Sequence, residues 1–361
     1  MLKLGLIGLP NVGKSTVLNA LTRAGAKVSN YPFCTVAPNL GRVTIPDPRL
    51  ARLAQLSAQS RSVPAAVELV DIAGLVRGAH RGEGLGNQFL SHVRAVDALV
   101  HVLRCFPDDR VPHVEGSLDP VRDAQVVELE LALADLAVLD RHLEQLRPHA
   151  RADEAAASKE WEALAPLREQ LNAGTPLRLF TVPEAAREFL NRLQLLTSKP
   201  VLYLANLGEG QDPERTVAPL RAALGGQGVE VLPLSGQLEA DLAEMEEAER
   251  EEFMRELGLT STVLEAVIHA CYRLLDLVTF FTIVGAELRA WPVPRGITAL
   301  RAAGRIHSDM ERGFIRAEVV SYSELDRAGS WEAAHHQGLI RMEGRDYLIS
   351  EGDVVHFRFH A

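Results

Sequence analysis

GLPNVGKS at positions 8–15 decides the fold, because it follows a strand-like apolar run and opens a helical pattern. Gly8 and Gly13 let the backbone curl, so that consecutive N–H groups point toward one anion at the helix N-terminus. Lys14 adds a positive charge suited to the β- and γ-phosphates of a nucleotide, and the Ser15 hydroxyl is a ligand for Mg²⁺. The stretch predicts a phosphate-binding loop, against the alternative of a chance glycine-rich turn.

Two further segments complete the predicted metal and phosphate site. Residues 68–74 read ELVDIAG, which places Asp71 at the end of a buried strand and Gly74 three residues later. In P-loop proteins such an aspartate holds Mg²⁺, usually through water, and the glycine amide senses the γ-phosphate. Thr35, in the segment NYPFCT at 30–35, is expected to close onto Mg²⁺ and the γ-phosphate. Neither residue type indicates a site alone, so both assignments depend on the P-loop.

The order of patterns along the chain predicts three structural parts. Short apolar runs separated by helices predict an α/β domain with a mostly parallel sheet. Leucines spaced three or four residues apart from 129 to 146 form a seam, which predicts an inserted, coiled-coil-like helical hairpin. The C-terminal runs of β-branched and aromatic residues predict a small mixed-sheet domain. The predicted boundaries are 1–122 with 197–278 for the nucleotide-binding domain, 123–196 for the hairpin, and 279–361 for the C-terminal domain.

Charge and cysteine content exclude several classes of protein. The 361 residues have a formal net charge of −10, which argues against attachment to nucleic acid by bulk positive charge. We expect no DNA binding, although a local basic patch could bind RNA. Cys34, Cys105 and Cys271 match no disulfide framework or zinc pattern. Without a signal segment or a membrane-length apolar run, we expect a cytoplasmic protein.

The chain resembles the Obg-like YchF ATPase family within the translation-factor-related P-loop GTPases. Beyond the loop at 8–15, the resembling segments are NYPFCT at 30–35 through PDPRL at 46–50, DIAGLVRGA at 71–79, GEGLGN at 82–87, AAGRIHSD at 302–309, RGFIRAE at 312–318 and EGDVVHF at 351–357. The resemblance implies a G domain interrupted by a helical hairpin and followed by a TGS domain with a β-grasp fold. It also implies slow ATP hydrolysis, ATP binding at least as good as GTP binding, and association with ribosomes.

The segment that would read the base lacks the features that select guanine. Most GTPases use Asn-Lys-x-Asp, whose aspartate accepts hydrogen bonds from guanine. Here residues 206–209 read NLGE, with Leu207 in place of lysine and Glu209 in place of aspartate. We expect the Asn206 amide to pair with N6 and N7 of adenine, and Ser235 to lie where a backbone amide contacts the base. The resemblance favours ATP, and dual use of ATP and GTP is the alternative.

Leu75 follows the DxxG glycine, where many related GTPases have a glutamine that orients the attacking water. Since a leucine cannot do this by hydrogen bonding, we expect slow intrinsic hydrolysis. His113, in the loop VPHVEG at 111–116, is our first hypothesis for the missing contact, because histidine can accept a proton near neutral pH. A surface histidine without a role is the alternative, and His80 and Arg81 are weaker candidates.

These arguments give a defined set of predicted site residues. For nucleotide binding we expect Asn11, Val12, Gly13, Lys14, Ser15, Thr16, Asn206, Leu207, Glu209 and Ser235. For Mg²⁺ we expect Ser15, Thr35 and Asp71, with Gly74 and Leu75 in the switch. For catalysis we expect Lys14, Thr35 and, as a hypothesis, His113. In related GTPases that lack the glutamine, an asparagine at the position of Asn11 helps to coordinate K⁺ beside the phosphates. Asn11 is therefore a candidate K⁺ ligand, and the alternative is that its side chain only supports the loop.

Two classes of function remain open from the sequence. One is a slow ATPase that acts as a nucleotide-controlled switch on ribosomes. The other is a ribosome- or protein-binding module in which the nucleotide is structural. A metabolic kinase is less favoured, since no pocket for an acceptor substrate is visible. An RNA-binding surface in the C-terminal domain could use its arginines, namely Arg289, Arg295, Arg301, Arg305, Arg312 and Arg316.

Overall fold

The computed structural model describes residues 2–28, 40–57, 61–75, 78, 85–151, 155–224, 229–256, 263–284 and 287–360. The predicted site residue Thr35 and the candidates His80 and Arg81 lie outside these ranges. The described strands are β1 (Lys3–Ile7), β2 (Leu40–Thr44), β3 (Arg61–Val63), β4 (Ala66–Asp71), β5 (Ala98–Arg104), β6 (Val201–Asn206), β7 (Glu230–Leu234), β8 (Leu277–Val284), β9 (Glu287–Pro294), β10 (Phe314–Ser321), β11 (Arg341–Glu343) and β12 (Asp353–Phe359).

The described helices cover most of the chain between these strands. They are α1 (Lys14–Val28), α2 (Pro48–Leu56), α3 (Leu85–Arg94), α4 (Pro120–Arg151), α5 (Ala155–Asn172), α6 (Glu184–Leu193), α7 (Pro213–Leu224), α8 (Gly236–Glu244), α9 (Glu247–Glu256), α10 (Val263–Leu274), α11 (Ala299–Ile306), α12 (Ser308–Arg312), α13 (Tyr322–Ala328) and α14 (Trp331–His336). The described residues form two compact units. One contains the N-terminal residues through 24 and residues 68–267, and the other contains residues 42–67 and 268–360.

The first unit is built on a six-stranded sheet in the order β2-β4-β1-β5-β6-β7. Strands β4, β1, β5, β6 and β7 pair in parallel, as the apolar runs predict. Every residue of β5 and of β6 is buried. This continuous burial is what a parallel strand covered by helices on both faces requires. The carboxyl ends of these strands lie along one edge of the sheet, where ligands bind in open α/β folds.

The inserted hairpin consists of α4 and α5, with α6 packed against them. Leu139 and Leu143 of α4 and Leu164 and Leu167 of α5 belong to one buried core. The predicted seam is therefore present in the second half of α4. Leu129 is an exception, because 56% of its surface is exposed. The helix also continues through Pro148, where the sequence predicts a break.

Two buried polar clusters fasten the hairpin to the sheet. Glu128 of α4 accepts hydrogen bonds from Arg178 and from the Tyr203 hydroxyl on β6, the latter at 2.8 Å. Asp135, about two helical turns after Glu128, accepts hydrogen bonds from the backbone N–H groups of Leu196 and Thr197, each at 2.8 Å. Burying a carboxylate is costly unless it is hydrogen-bonded, so both sets of hydrogen bonds favour one docking position for the hairpin. Glu128 Oε2 has no hydrogen-bond partner among the described residues.

The second unit is built on a second six-stranded sheet with mixed strand directions. Its sheet order is β11-β10-β12-β8-β9-β3, with β8 and β9 antiparallel and β12 inserted parallel to β8. Phe280, Val319 and Phe357 pack with Ala299, Ala302 and Ala303 of α11 on one face of this sheet. Strand β9 is difficult to predict, because two prolines and an arginine interrupt its apolar pattern. Residues 347–350, whose tyrosine, leucine and isoleucine suggest a strand, form only an isolated bridge at Leu348.

The predicted boundary at 1–122 needs a correction, because part of that range packs in the second unit. Strand β3 pairs in parallel with β9 and closes that edge of the sheet. Asp47 caps the N-terminus of α2, and Arg49 and Arg52 of this helix form ion pairs with Glu351 and Asp326. The segment PDPRL therefore has a structural role in the C-terminal unit, which its sequence position did not reveal. Among the described helices, none is long and apolar enough to cross a membrane.

Two leucines of α4 provide a test of the hairpin core. Leu139 is fully buried, whereas Leu129, in the same helix, is exposed. We expect Leu139→Ala to destabilise the protein by about 2–5 kcal/mol, because it leaves a cavity between α4 and α5. Leu129→Ala, the matched control, changes stability by no more than about 0.5 kcal/mol. Urea unfolding measures both, and equal effects would contradict the observed packing.

Candidate functional site

The loop between β1 and α1 has the geometry of a phosphate cradle. Gly8 and Gly13 have positive φ angles of 148° and 93°. A side chain at Gly8 would collide with the carbonyl oxygen of Val102, 2.5 Å from the position of a Cβ atom. Asn11 also has positive φ, 63°, a conformation that asparagine tolerates better than most residues. The loop is therefore fixed by backbone conformations that its sequence was selected to allow.

Lys14 lies inside this loop and is almost fully buried. Its Nζ donates hydrogen bonds to the carbonyl oxygens of Gly8 and Leu9, at 3.2 and 2.9 Å. Burial lowers the Lys14 pKa, and the nearby Asp71 carboxylate partly opposes that shift. The ammonium group is thus held at the floor of the cradle, where the charge of a phosphate would compensate the cost of burial. Thr16, two residues after Lys14, is exposed at the start of α1.

Ser15 and Asp71 form a pair suited to a divalent cation. The Ser15 hydroxyl donates a hydrogen bond of 2.7 Å to Asp71 Oδ2. Asp71 Oδ1 is buried and has no hydrogen-bond partner within the described part of the chain. A hard cation with oxygen ligands, such as Mg²⁺, fits an orphaned carboxylate oxygen beside a hydroxyl. No cluster of three or more acidic, histidine or cysteine side chains competes as a metal site among the described residues.

Asn206 links the phosphate loop to the end of β7. Its Nδ2 donates to the Val12 carbonyl oxygen at 3.0 Å, and its Oδ1 accepts from the Gly236 N–H at 3.0 Å. Only 5% of its surface is exposed. Each end of the amide thus has one protein partner, while its second N–H and its second oxygen lone pair are left for the pairing with adenine, which stays a prediction. Asn206 joins the phosphate loop to the start of α8.

The other predicted base contacts lie around the ends of β6 and β7. Leu207 is buried, and its backbone N–H donates to the Leu234 carbonyl oxygen at 2.7 Å. Ser235 caps α8 by accepting from the Leu238 N–H at 3.3 Å. Glu209 is exposed. Of the predicted residues at this end, Glu209 is exposed and Ser235 is partly buried, whereas Asn206 and Leu207 are buried.

The predicted switch residues contact the phosphate loop directly. A Cβ atom on Gly74 would lie 2.9 Å from the Pro10 backbone nitrogen, so only glycine allows this close approach. The Leu75 N–H donates to the Gly8 carbonyl oxygen at 3.2 Å, and the Leu75 side chain is buried. The leucine thus points into the protein and cannot orient a water molecule, as its chemistry predicts.

His113 lies in a loop attached to the phosphate loop. The Asn11 side chain donates to the Pro112 carbonyl oxygen at 3.2 Å, immediately before the histidine. His113 Nε2 lies 2.8 Å from Asp123 Oδ2, and its Nδ1 accepts from the Glu115 N–H at 3.1 Å. The loop that carries His113 is therefore bonded to the phosphate loop, while both ring nitrogens of His113 contact other protein groups.

Sequence reasoning missed two side chains that shape the loops around this site. Arg104, at the end of β5, donates to the carbonyl oxygens of Phe106, Asp108 and Val111. Gln211 accepts from the Gly208 N–H at 2.6 Å and donates to the Cys105 carbonyl oxygen at 3.0 Å. A charged residue at the end of an otherwise apolar strand is the signal that could have indicated Arg104. Gln211 has no comparable signal, since it follows an ordinary turn.

Comparison with known proteins identifies relatives of both units. Residues 3–138 match the family MMR_HSR1, described as "50S ribosome-binding GTPase", and residues 277–360 match YchF-GTPase_C, described as "Protein of unknown function (DUF933)". A protein of Bacillus subtilis named "Ribosome-binding ATPase YchF" is 45% identical over 361 residues, and each chain is covered to 99%. One of the same name from Escherichia coli O157:H7 is 44% identical over 360 residues, with 99% of each chain covered.

Solved structures give the same relationship. The Schizosaccharomyces pombe YchF GTPase superposes with a TM-score of 0.87 at 34% identity, covering 99% of this chain and 97% of the other. A Pyrococcus horikoshii GTP-binding protein superposes with a TM-score of 0.61 at 19% identity, over 99% of this chain and all of the other, which shows a shared fold only.

Gly13 provides a test of the cradle geometry. A Cβ atom there would lie 2.3 Å from Asn206 Nδ2, whereas one on Gly174 would meet nothing within 4 Å. Both glycines have positive φ, 93° and 83°, so the two alanine variants share the backbone strain. We expect Gly13→Ala to weaken Mg-nucleotide binding by about tenfold or more, because it displaces Asn206. Gly174→Ala is the control. Titration calorimetry measures both affinities, and equal values for the two variants would contradict the role of Asn206 in holding the phosphate loop.

Proposed function

The chain belongs to the YchF family of P-loop NTPases, and from that premise we propose that it is a Mg²⁺-dependent ATPase that binds ribosomes. The relatives that are 45% and 44% identical over almost the whole chain bear the name "Ribosome-binding ATPase". A cytoplasmic location is the one in which a ribosome-binding protein would act. The site supports slow hydrolysis best, and we propose that the bound nucleotide controls the contact with the ribosome.

The observation that carries this proposal is the grouping of Lys14, Ser15 and Asp71. The lysine is buried beneath the loop, the serine hydroxyl donates to the aspartate, and one aspartate oxygen has no partner within the described residues. A bound Mg²⁺ would supply charge neutralisation between the β- and γ-phosphates. Ser15 would bind the metal through its hydroxyl and Asp71 would hold it, usually through water. Thr35 remains our candidate for the residue that closes on the metal.

The chain's own residues would divide the chemistry in a defined way. The N–H groups from Asn11 to Thr16 would bind the phosphates, and Lys14 would stabilise the negative charge on the oxygen that leaves. Leu75 supplies no hydrogen bond to the attacking water. We propose that His113, in the loop bonded to the cradle, accepts a proton from that water or orients it. Such an arrangement gives a low rate until His113 is correctly positioned.

ATP is the nucleotide that we propose over GTP. Asn206 holds the loop, and residues 207 and 208 are leucine and glycine, so Glu209 is the remaining acidic side chain at the base end. Its carboxylate is one methylene longer than the aspartate that reads guanine, which weakens the selection of guanine. The relatives' printed name supports ATP. Dual use of ATP and GTP is the second candidate, favoured by the exposure of that same carboxylate.

The ribosome is the partner that we propose, and the arginines of the second unit contribute little free positive charge to that contact. Five of the six candidates form ion pairs, namely Arg289 with Glu287, Arg295 with Asp276, Arg301 with Glu311, Arg312 with Asp309 and Arg316 with Glu318. Paired arginines attract phosphates less than free ones. The proposal therefore rests on the family relationship, and these arginines alone would not predict RNA binding.

Steady-state hydrolysis with and without ribosomes tests the proposed function. We expect Mg-ATP to be hydrolysed slowly and Mg-GTP to compete for the site with a higher Kd, because the base end does not select guanine. Lys14→Ala should abolish turnover. Lys3→Ala is the control, since Lys3 lies on β1, is partly exposed and forms an ion pair with Glu68 of β4.

Equal rates in K⁺ and Na⁺ would remove the proposed K⁺ site at Asn11. Absence of turnover, with ribosome binding that is the same in ATP and ADP, would favour the binding-module alternative.

A further inference from the structure

Asp123, in the first turn of the hairpin helix α4, faces the loop that carries His113. Its side chain is 2% exposed, and that of His113 is 8% exposed. Asp123 Oδ2 lies 2.8 Å from His113 Nε2, while Asp123 Oδ1 accepts from Arg122 Nη2 at 2.9 Å. Arg122 also donates to the Ser117 hydroxyl oxygen at 2.8 Å. The carboxylate is thus held in one orientation, with the histidine as its partner on the other side.

The hydrogen bonds around the ring determine which nitrogen carries the proton. The Glu115 backbone N–H can only donate, so His113 Nδ1 must accept and is therefore unprotonated. In the neutral ring the proton then lies on Nε2, which donates it to Asp123. No lone pair of the imidazole remains available. In this conformation His113 can neither accept a proton from water nor orient it as an acceptor.

The loop is held at its other contacts as well. Asn11 fixes the Pro112 carbonyl oxygen from the phosphate loop, and Arg104 fixes that of Val111 from the end of β5. These bonds keep the backbone before His113 against the cradle, so that rotation of the side chain is enough to change what the ring contacts. Such a rotation must break two hydrogen bonds, the one from Nε2 to Asp123 and the one from the Glu115 N–H to Nδ1.

A second contact shows that the same helix face holds other parts of the site. Glu130 lies two turns after Asp123 on α4, and its Oε1 accepts from the Gly78 N–H at 2.7 Å. Gly78 follows the switch residues Gly74 and Leu75 in the sequence. Both carboxylates are at least 95% buried. The hairpin helix therefore bonds to two segments of the predicted site, the one that contains Gly78 and the loop that carries His113.

From this geometry we infer that Asp123 is a positioning residue that restrains His113 in an inactive rotamer. Release of the ring from Asp123 and from the Glu115 N–H frees the Nδ1 lone pair, which can then take a proton from the attacking water, and the hairpin helix thereby limits hydrolysis. This inference rests on the proposed ATPase function and on the role of His113 in it. It differs from an activating dyad, in which the carboxylate would orient a histidine that already has a free nitrogen.

The isosteric variant Asp123→Asn tests the restraint. A neutral amide accepts from Nε2 more weakly than a carboxylate, so the released conformation gains population. We expect kcat for Mg-ATP to rise about three- to tenfold, with KM unchanged, because Asp123 makes no contact to the predicted nucleotide residues. Asp119→Asn is the matched control. It removes one charge at the same helix end, keeps the cap that accepts from the Arg122 N–H, and should leave kcat unchanged.

The histidine must be the group through which this effect acts. In a His113→Ala background, Asp123→Asn should give no gain in kcat. A gain that persists without the histidine would overturn the inference, and so would a fall or no change in kcat for Asp123→Asn alone. A fall would indicate the activating dyad.

Hydrogen exchange of the Glu115 amide tests the restraint without turnover. This amide should be protected in the wild type and in Asp119→Asn, and should exchange faster in Asp123→Asn. If the wild type hydrolyses no ATP, the proposed function fails, while equal protection in all three proteins would overturn the restraint itself. If Asp123→Asn does not fold, Asp123→Ala replaces it. A measurement on the wild type needs no variant: addition of Mg²⁺ with a non-hydrolysable ATP analogue should increase the exchange of the Glu115 amide. Unchanged exchange would contradict the inference.

Discussion

One buried amide holds the phosphate loop in the shape that binds a nucleotide. Asn206 lies at the end of a strand whose every residue is buried, so its position is set by the sheet. From there it bonds to the loop through Val12 and to the first residue of α8 through Gly236. Gly13 is required because any side chain would occupy the space of this amide. The cradle is therefore a consequence of the sheet, and not only of the glycine-rich sequence before α1.

The remaining site residues follow from the same parallel sheet. Because the strands run in one direction, their carboxyl ends deliver side chains to one edge. That edge presents Asp71 at the end of β4, Arg104 at the end of β5 and Ser235 after β7. The hairpin inserted after β5 returns two carboxylates, Asp123 and Glu130, to the same region. A helical insertion that contains none of the nucleotide-binding motifs thus contacts segments of the predicted site.

The sequence was sufficient where the pattern is local and insufficient where the contacts are long-range. GLPNVGKS and the strand that ends at Asp71 predicted the curled loop before α1, with Ser15 close to Asp71, since both are local patterns with fixed chemistry. The placement of β3 beside β9 was not predicted, because it depends on a pairing across more than two hundred residues. The bonds of Asn206 to Val12 and Gly236 were not predicted either, because nothing local in the sequence indicates them. His113 was a candidate from the sequence, but its partner Asp123 was not, because a helix-starting aspartate ordinarily indicates only a favourable charge.

The account depends most on the role of Asn206 as a clamp of the phosphate loop. The most direct measurement compares the affinity of the wild type and of Asn206→Ala for Mg-ATP and for Mg-tripolyphosphate, which has no base. A clamp acts on the phosphates, so the variant should lose affinity for both ligands by the same factor, about tenfold or more. Loss of affinity for Mg-ATP alone, with tripolyphosphate bound as tightly as before, would show that Asn206 reads the base and would contradict the account.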